Sequence, residues 1–187
     1  YVNIDDVNRL IADAADDPRS LTAQVMKKPF SVVLIDEIEK AHPNVLTALL
    51  QVLDEGILRD IKNREVSFRD TIIIATSNAG ADKIREIVER GYDISKYEDS
   101  IVNNLISTNQ FRPEFLNRFD EITIFKPLSE SDLLQIVDLM IAGVNKTLAS
   151  QKIKVSIMDD AKRILVSAGY DPRLGARPMR RIIQKVV

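Results

Sequence analysis

Residues 31–42 read SVVLIDEIEKAH, and the reading of this stretch decides the fold. Val32, Val33, Leu34 and Ile35 form a short, unbroken aliphatic run. Such a run predicts a strand buried on both faces, at the centre of a parallel sheet. Asp36 and Glu37 follow at once, at the carboxyl end of that strand, the edge where ligands bind in open α/β sheets. Two adjacent carboxylates there suit a divalent ion beside phosphates. The plainer alternative is a strand that ends in a solvated acidic turn.

Working outward, Pro43 follows His42 as a suitable first helical residue. Val45, Leu46, Leu49, Leu50, Val52 and Leu53 supply one apolar face, and Gly56 is the stop signal. Residues 57–68 predict a β-hairpin around Lys62-Asn63-Arg64, made locally basic by Arg59, Lys62, Arg64 and Arg69. A second buried strand, TIIIA at 71–75, ends in Thr76-Ser77-Asn78. Helices are expected over 81–90 and 97–108, separated at Gly91-Tyr92-Asp93. FRPEFLNRFD (111–120) reads as a short helical turn, and EITIF (121–125) as a third strand.

On the amino-terminal side, residues 3–15 predict an amphipathic helix on Ile4, Val7, Leu10 and Ile11, with Asn3 as its cap. Residues 13–20 are acidic, contain Pro18 and read as a helix end and turn. A short helix over 20–28 leads through Pro29 into the central strand. Beyond Lys126-Pro127-Leu128-Ser129, which reads as a boundary, the pattern is mostly helical. It gives a helix over 130–150, a short strand over 154–157 and a helix over 159–168 capped by Asp159. A last helix runs from Met179.

Composition bounds the function. The 187 residues hold one α/β domain, or one with a small satellite. Hydrophobic residues make up 45% and mean hydropathy is −0.08, as expected of a soluble chain with a real core. The absence of Cys excludes a disulfide scaffold and a cysteine zinc site, and suits a reducing, cytoplasmic setting. A single His, His42, excludes a His-rich metal site. A net charge of −2 gives no global basic field for nucleic acid. No apolar run approaches the ~20 residues of a membrane span. The start, YVNIDDVNRL, lacks the layout of a leader peptide. It has no initiator Met and begins in mid-pattern, so a piece of something longer is the expectation.

Taken together, these stretches resemble the Clp-type AAA+ ATPases, in particular the second nucleotide-binding module of the ClpB, ClpC and ClpA group. VVLIDEIEKAHP followed by LLQVLDEG resembles that family's Walker B strand and next helix. TIIIATSN is similar to its sensor-1 strand, FRPEFLNRFDE to its arginine-finger segment, and GYDPRLGARPMRR to its sensor-2 helix. The four motifs stand in the family's order.

The resemblance implies an α/β fold: part of a P-loop NTPase parallel sheet between helices over residues 1–126, then a small helical lid over 127–187. It implies ATP and Mg²⁺, with Asp36 holding the metal, mostly through water, and Glu37 polarising the water that attacks the γ-phosphate. Asn78 would orient the same water or phosphate. Arg118 would be the arginine finger that completes a neighbouring subunit's site; spacing alone leaves Arg112 as an alternative, and the match to NRFDE favours Arg118. Arg177 would be the sensor-2 arginine, with Arg173, Arg180 and Arg181 crowding the same region. Each has a bland counterpart: a helix-start carboxylate, a turn asparagine, a surface ion pair and a basic helix face.

The implied parent is a homo-oligomeric ring, a hexamer in this family, acting in the cytoplasm as an unfoldase or disaggregase chaperone on protein substrates. Two alternatives stand beside it: an AAA+ remodeller of another complex, and a non-catalytic scaffold.

Two departures qualify the resemblance. No G-x-x-x-x-G-K-[ST] loop occurs, although its backbone N–H groups are what cradle phosphates. The chain alone is therefore expected to bind nucleotide poorly or not at all. The family's aromatic, Gly-flanked pore loop is also missing: residues 11–23 read IADAADDPRSLTA. Either substrate is gripped elsewhere, for instance through the hairpin 57–68, or protein is not threaded in the usual way, or that loop is not represented in this chain. For a ClpP-type peptidase, the nearest docking match is Arg90-Gly91-Tyr92. Its charged first residue disfavours burial in an apolar cleft.

Overall fold

A computed structural model describes residues 6–13, 16–171 and 175–186. The chain forms two compact units that part between Ile124 and Phe125. The proposed cap Asn3, Ile4 and Arg173 lie outside the described residues.

The first unit opens with α1, Asp6–Leu10. This helix ends earlier than its apolar periodicity suggests, because the backbone beyond it is diverted into tertiary hydrogen bonds. The Ile11 carbonyl accepts from Ile61 N–H at 3.0 Å, and the Ala12 carbonyl accepts from the Ser20 and Thr22 hydroxyls at 2.6 and 3.1 Å. Ser20, itself buried, also caps α2, Leu21–Lys27, by accepting from Ala23 N–H at 3.2 Å. Strand β1, Ser31–Ile35, follows. Helix α3, Pro43–Glu55, is capped by the His42 ring and stopped by Gly56 in the left-handed conformation, φ 67°, as Pro43 and Gly56 predict.

β2, Ile57–Arg59, and β3, Glu65–Ser67, form the expected antiparallel hairpin. β4, Thr71–Ala75, pairs in parallel with β1, Ser31 opposite Thr71 and Ile35 opposite Ala75. Then come α4, Ala81–Glu89, α5, Glu98–Ser107, and the short α6, Pro113–Leu116. Leu49, Val52, Leu58, Val66 and Phe68 form the centre of the core, with Phe111 and Phe115 stacked at 5.9 Å beside it.

Three expectations about this unit and its end change. β1 is not buried on both faces: Val33, Ile35, Ile73 and Ala75 pack on the core. Val32, Leu34, Ile72 and Ile74 are 60%, 63%, 63% and 46% exposed. That side of the sheet is largely open among the described residues. Residues 121–125 are not a strand: they pair with none of the described strands. The local basicity of the hairpin is partly offset within the fold, as Arg59 pairs with Glu65, and Lys62 and Arg64 with acidic neighbours.

The second unit comprises α7, Glu130–Leu148, α8, Asp159–Gly169, and α9, Arg177–Val186. Leu133, Val137 and Ile141 of α7 pack with Leu165, Val166, Met179 and Ile183. By length and mean hydropathy the stretch Glu130–Gln151 passes for a membrane span; three of its residues, Leu133, Val137 and Ile141, are buried in this unit's core. The predicted strand over 154–157 is absent. The Asn145 side chain takes the place of a partner strand, donating to the Val155 carbonyl at 2.9 Å and accepting from its N–H at 2.7 Å. The cap of α8 is Met158 rather than Asp159, which is the first helical residue.

Candidate nucleotide-hydrolysis site

The parallel register sets the site. With Ile35 opposite Ala75, the next residues of each strand, Asp36 and Thr76, meet side by side. Pairing continues past the strands: Thr76 N–H donates to the Ile35 carbonyl at 2.9 Å and Ile38 N–H to the Thr76 carbonyl at 3.0 Å. The Thr76 hydroxyl donates to Asp36 Oδ1 and accepts from Glu37 N–H, the latter at 3.2 Å. One hydroxyl thereby fixes both acidic residues.

Glu37 has φ 53° and ψ 51°, a left-handed conformation that is uncommon for a residue with a long side chain. It opens a 3-10 turn, Ile38–Lys40. Its carboxylate is held on two sides, by Lys40 Nζ at 2.8 Å and by Asn78 Nδ2 at 3.4 Å. The bond to Glu37 holds the Lys40 ammonium pKa above its ordinary value.

Asn78 is also bound to Glu39. Its backbone N–H donates to Glu39 Oε1 at 3.2 Å, its Nδ2 lies 3.4 Å from the same oxygen, and the Ser77 hydroxyl reaches Glu39 Oε2 at 2.8 Å. Partial burial acts to raise the Glu39 pKa, but hydrogen bonds from its own backbone, Ser77 and Asn78 outweigh it and hold the group below the usual glutamate value. A cavity of about 400 Å³ adjoins the strand end, walled by Leu10, Leu21, Val33 and Val45 together with Asp36 and Glu37.

The structure thus brings Asp36, Glu37 and Asn78 together. Arg118 is elsewhere on the first unit, half-exposed and paired with Asp54 of α3. Arg112 is more exposed, with Glu114 at 3.9 Å. Arg177 is the first residue of α9, in the second unit, and is exposed. Thr76 and Glu39 escaped the sequence reading. Both lie inside quoted motifs, but their contact depends on the register of strands some forty residues apart.

No group of three or more metal-ligating side chains occurs among the described residues. The Asp36 carboxylate with the Thr76 hydroxyl is instead a sparse oxygen donor set. That fits Mg²⁺, which keeps several waters and takes phosphate oxygens as ligands.

Comparison with known proteins identifies the family. Residues 5–122 match the AAA domain (Cdc48 subfamily), and residues 128–187 match the C-terminal, D2-small domain, of ClpB protein. The chain belongs to the Clp-type AAA+ ATPases. It is 49% identical over 172 residues to the ATP-dependent Clp protease ATP-binding subunit ClpE of Streptococcus pneumoniae, covering 92% of this chain and 23% of the relative. To the chaperone protein ClpB of Aquifex aeolicus it is 49% identical over 175 residues, 89% of this chain and 17% of the relative. To ClpC of Staphylococcus saprophyticus, another Clp protease ATP-binding subunit, it is 46% identical over 179 residues, 92% and 22%. This Clp-type chain therefore spans about a fifth of the length of these relatives.

Proposed function

We propose that this chain supplies the hydrolytic half of an ATP site in a ring-forming, protein-remodelling machine of the cytoplasm. The observation that carries the reading is the convergence of Asp36, Glu37 and Asn78 at the carboxyl end of a parallel strand pair. In phosphoryl transfer, catalysis is mostly positioning and charge stabilisation. Glu37 accepts a hydrogen bond from the attacking water and aims it, and Asn78 orients Glu37 and that water. Asp36, aligned by Thr76, would hold Mg²⁺, and that ion would offset the charge on the phosphates. Residues 1–126 act as the nucleotide-binding body and residues 127–187 as its lid.

Arg118 is proposed as the finger offered to a neighbouring subunit of a homo-oligomeric, hexameric ring. Its half-exposed guanidinium on the first unit's surface supports that role. Arg177 is proposed to contact the phosphates from the lid. Because these 187 residues contain no phosphate-cradling glycine loop, they alone bind ATP weakly.

A second reading is favoured by one observation. The start of the segment where a mobile aromatic pore loop is expected is tied down: Ile61 N–H bonds the Ile11 carbonyl, and Asp13 pairs with Lys62 and Arg64. Such a machine remodels a complex without threading protein through this segment. Docking on a ClpP-type peptidase through residues 90–92 is likewise disfavoured, since Arg90 pairs with Glu86 and Tyr92 stacks on Tyr97 at 5.5 Å. The third possibility is a non-catalytic scaffold.

The test is Mg·ATP hydrolysis by the full-length protein beside its Glu37→Gln variant. A loss of about a hundredfold or more on substitution, the scale of a lost general base, with ATP binding retained, supports the hydrolytic reading. A full-length protein that neither binds nor hydrolyses ATP overturns it in favour of the scaffold. Stimulation of hydrolysis by unfolded protein, and not by DNA, would identify the substrate class.

A further inference from the structure

The Glu39 carboxylate gathers three donors from the loop after β4. Ser77 Oγ, Asn78 N–H and Asn78 Nδ2 all point to it, at 2.8, 3.2 and 3.4 Å. Ser77 Oγ in turn accepts from Ala79 N–H at 3.0 Å, so the Ser77–Ala79 turn is organised around this one side chain. The 3-10 turn that carries Glu39 also presents Glu37 to the other side of the Asn78 amide, whose Nδ2 lies equally 3.4 Å from Glu37 Oε1. Asn78 Nδ2 therefore sits between two carboxylates two residues apart in sequence.

We propose that Glu39 is a positioning residue that sets Asn78, and through Asn78 the carboxylate of Glu37, for hydrolysis. The proposal rests on the ATPase reading above. Its physical basis is the asymmetry of the two carboxylates. Glu39 is bonded by a backbone N–H and a hydroxyl as well as by the shared amide, so its place is fixed by the loop it organises. Glu37 faces the cavity, and among the described residues its carboxylate is held by the shared amide and the Lys40 ammonium. A carboxylate that must aim a water benefits from an orienting partner that is itself held still. Fixing the Asn78 backbone to Glu39 leaves the amide one rotation to make, between Glu39 and Glu37. Without Glu39 the Ser77–Ala79 turn loses its organiser, and Asn78 no longer meets Glu37 in a defined geometry.

The experiment uses the full-length protein as wild type, Glu37→Gln, Glu39→Ala, Glu39→Gln, Asn78→Ala and the double variant Glu39→Ala/Asn78→Ala. In Glu39→Ala, kcat is expected to fall about tenfold or more while KM for ATP stays within about twofold, the signature of lost transition-state stabilisation. Glu39→Gln keeps one acceptor oxygen and recovers part of the rate. The double variant is no slower than Asn78→Ala, because a residue acting through another adds nothing once that other is gone. Without nucleotide, hydrogen exchange at the Asn78 amide speeds up in Glu39→Ala. The Ile38 and Thr76 amides, bonded to backbone carbonyls, stay protected.

Multiplicative losses in the double variant overturn the proposal. So does a Glu39→Ala enzyme at wild-type kcat while Glu37→Gln is inactive; in that case the hydrolytic reading stands and only the role of Glu39 falls. If wild type and Glu37→Gln are equally inert, the hydrolytic reading and this inference fall together.

Discussion

Gly169 and Met179 approach so closely that a β-carbon on Gly169 would stand 2.5 Å from Met179 Cγ and 2.9 Å from its Cα. The glycine ends α8, and Met179, fully buried, lies in the first turns of α9. The demand is for space, since the nearest backbone atom has no freedom to swing aside. Gly169→Ala is therefore expected to destabilise the helical unit by about 1–3 kcal/mol, as overpacking does. Urea unfolding followed by helical circular dichroism measures it, and a change within error would mean that α9 shifts freely.

Asp13 ties the segment after α1 to the hairpin. Hydrogen bonds from Lys62 first, and from Arg64 next, hold its carboxyl at about 2, below the ordinary 3.8. A depressed folded pKa gives stability that is complete above the unfolded value and disappears as pH falls through the folded one. The hairpin anchor is thus expected to weaken between about pH 4 and pH 2. Hydrogen exchange at the Ile61 amide, which bonds the Ile11 carbonyl, reports it. Asp13→Asn removes most of this acid dependence and speeds that exchange at neutral pH.

Thr76 serves Asp36 as donor and Glu37 N–H as acceptor. Thr76→Val keeps the shape and deletes both bonds, whereas Thr76→Ser keeps both. In the full-length protein, Thr76→Val is expected to lower ATP hydrolysis about tenfold or more, since each of the two lost hydrogen bonds is worth about 0.5–1.5 kcal/mol. The serine variant stays near wild type. Equal rates for the two would assign Thr76 to strand packing alone.

The open sheet face of Val32, Leu34, Ile72 and Ile74 is a contiguous apolar surface of the kind that drives association. The 187-residue chain is expected to self-associate and to bind a hydrophobic dye. Leu34→Thr with Ile72→Thr, which keeps one β-branched residue and adds another, should reduce both in light scattering and fluorescence. Unchanged association would place the sticky surface elsewhere.

Much of the frame was legible because its signals are local. The runs at 31–35 and 71–75 gave the parallel pair, and Pro43 and Gly56 bounded α3. What escaped depends on partners distant in sequence. Residues 121–125 carry a strand's composition and find no ladder among the described residues; residues 154–157 are held by one asparagine side chain instead of a strand. The acidic stretch at 13–20 reads only as a helix end and turn, and nothing in it shows that Asp13 is buried against cations 49 and 51 residues away. In the site, Asp36, Glu37 and Asn78 stood out as polar residues at strand ends. Thr76 and Glu39 did not, because only the β1–β4 register reveals what they touch.

The left-handed backbone at residue 37 sets two demands against each other. Glycine and asparagine are at ease at φ 53°, while the proposed chemistry needs a longer carboxylate there. Under laboratory evolution that selects only for folding, position 37 is among the first expected to drift, toward Gly or Asn. Under selection for turnover it should stay fixed while its surroundings change. The residue's identity is then a record of which pressure the lineage has been under, written in a single torsion angle.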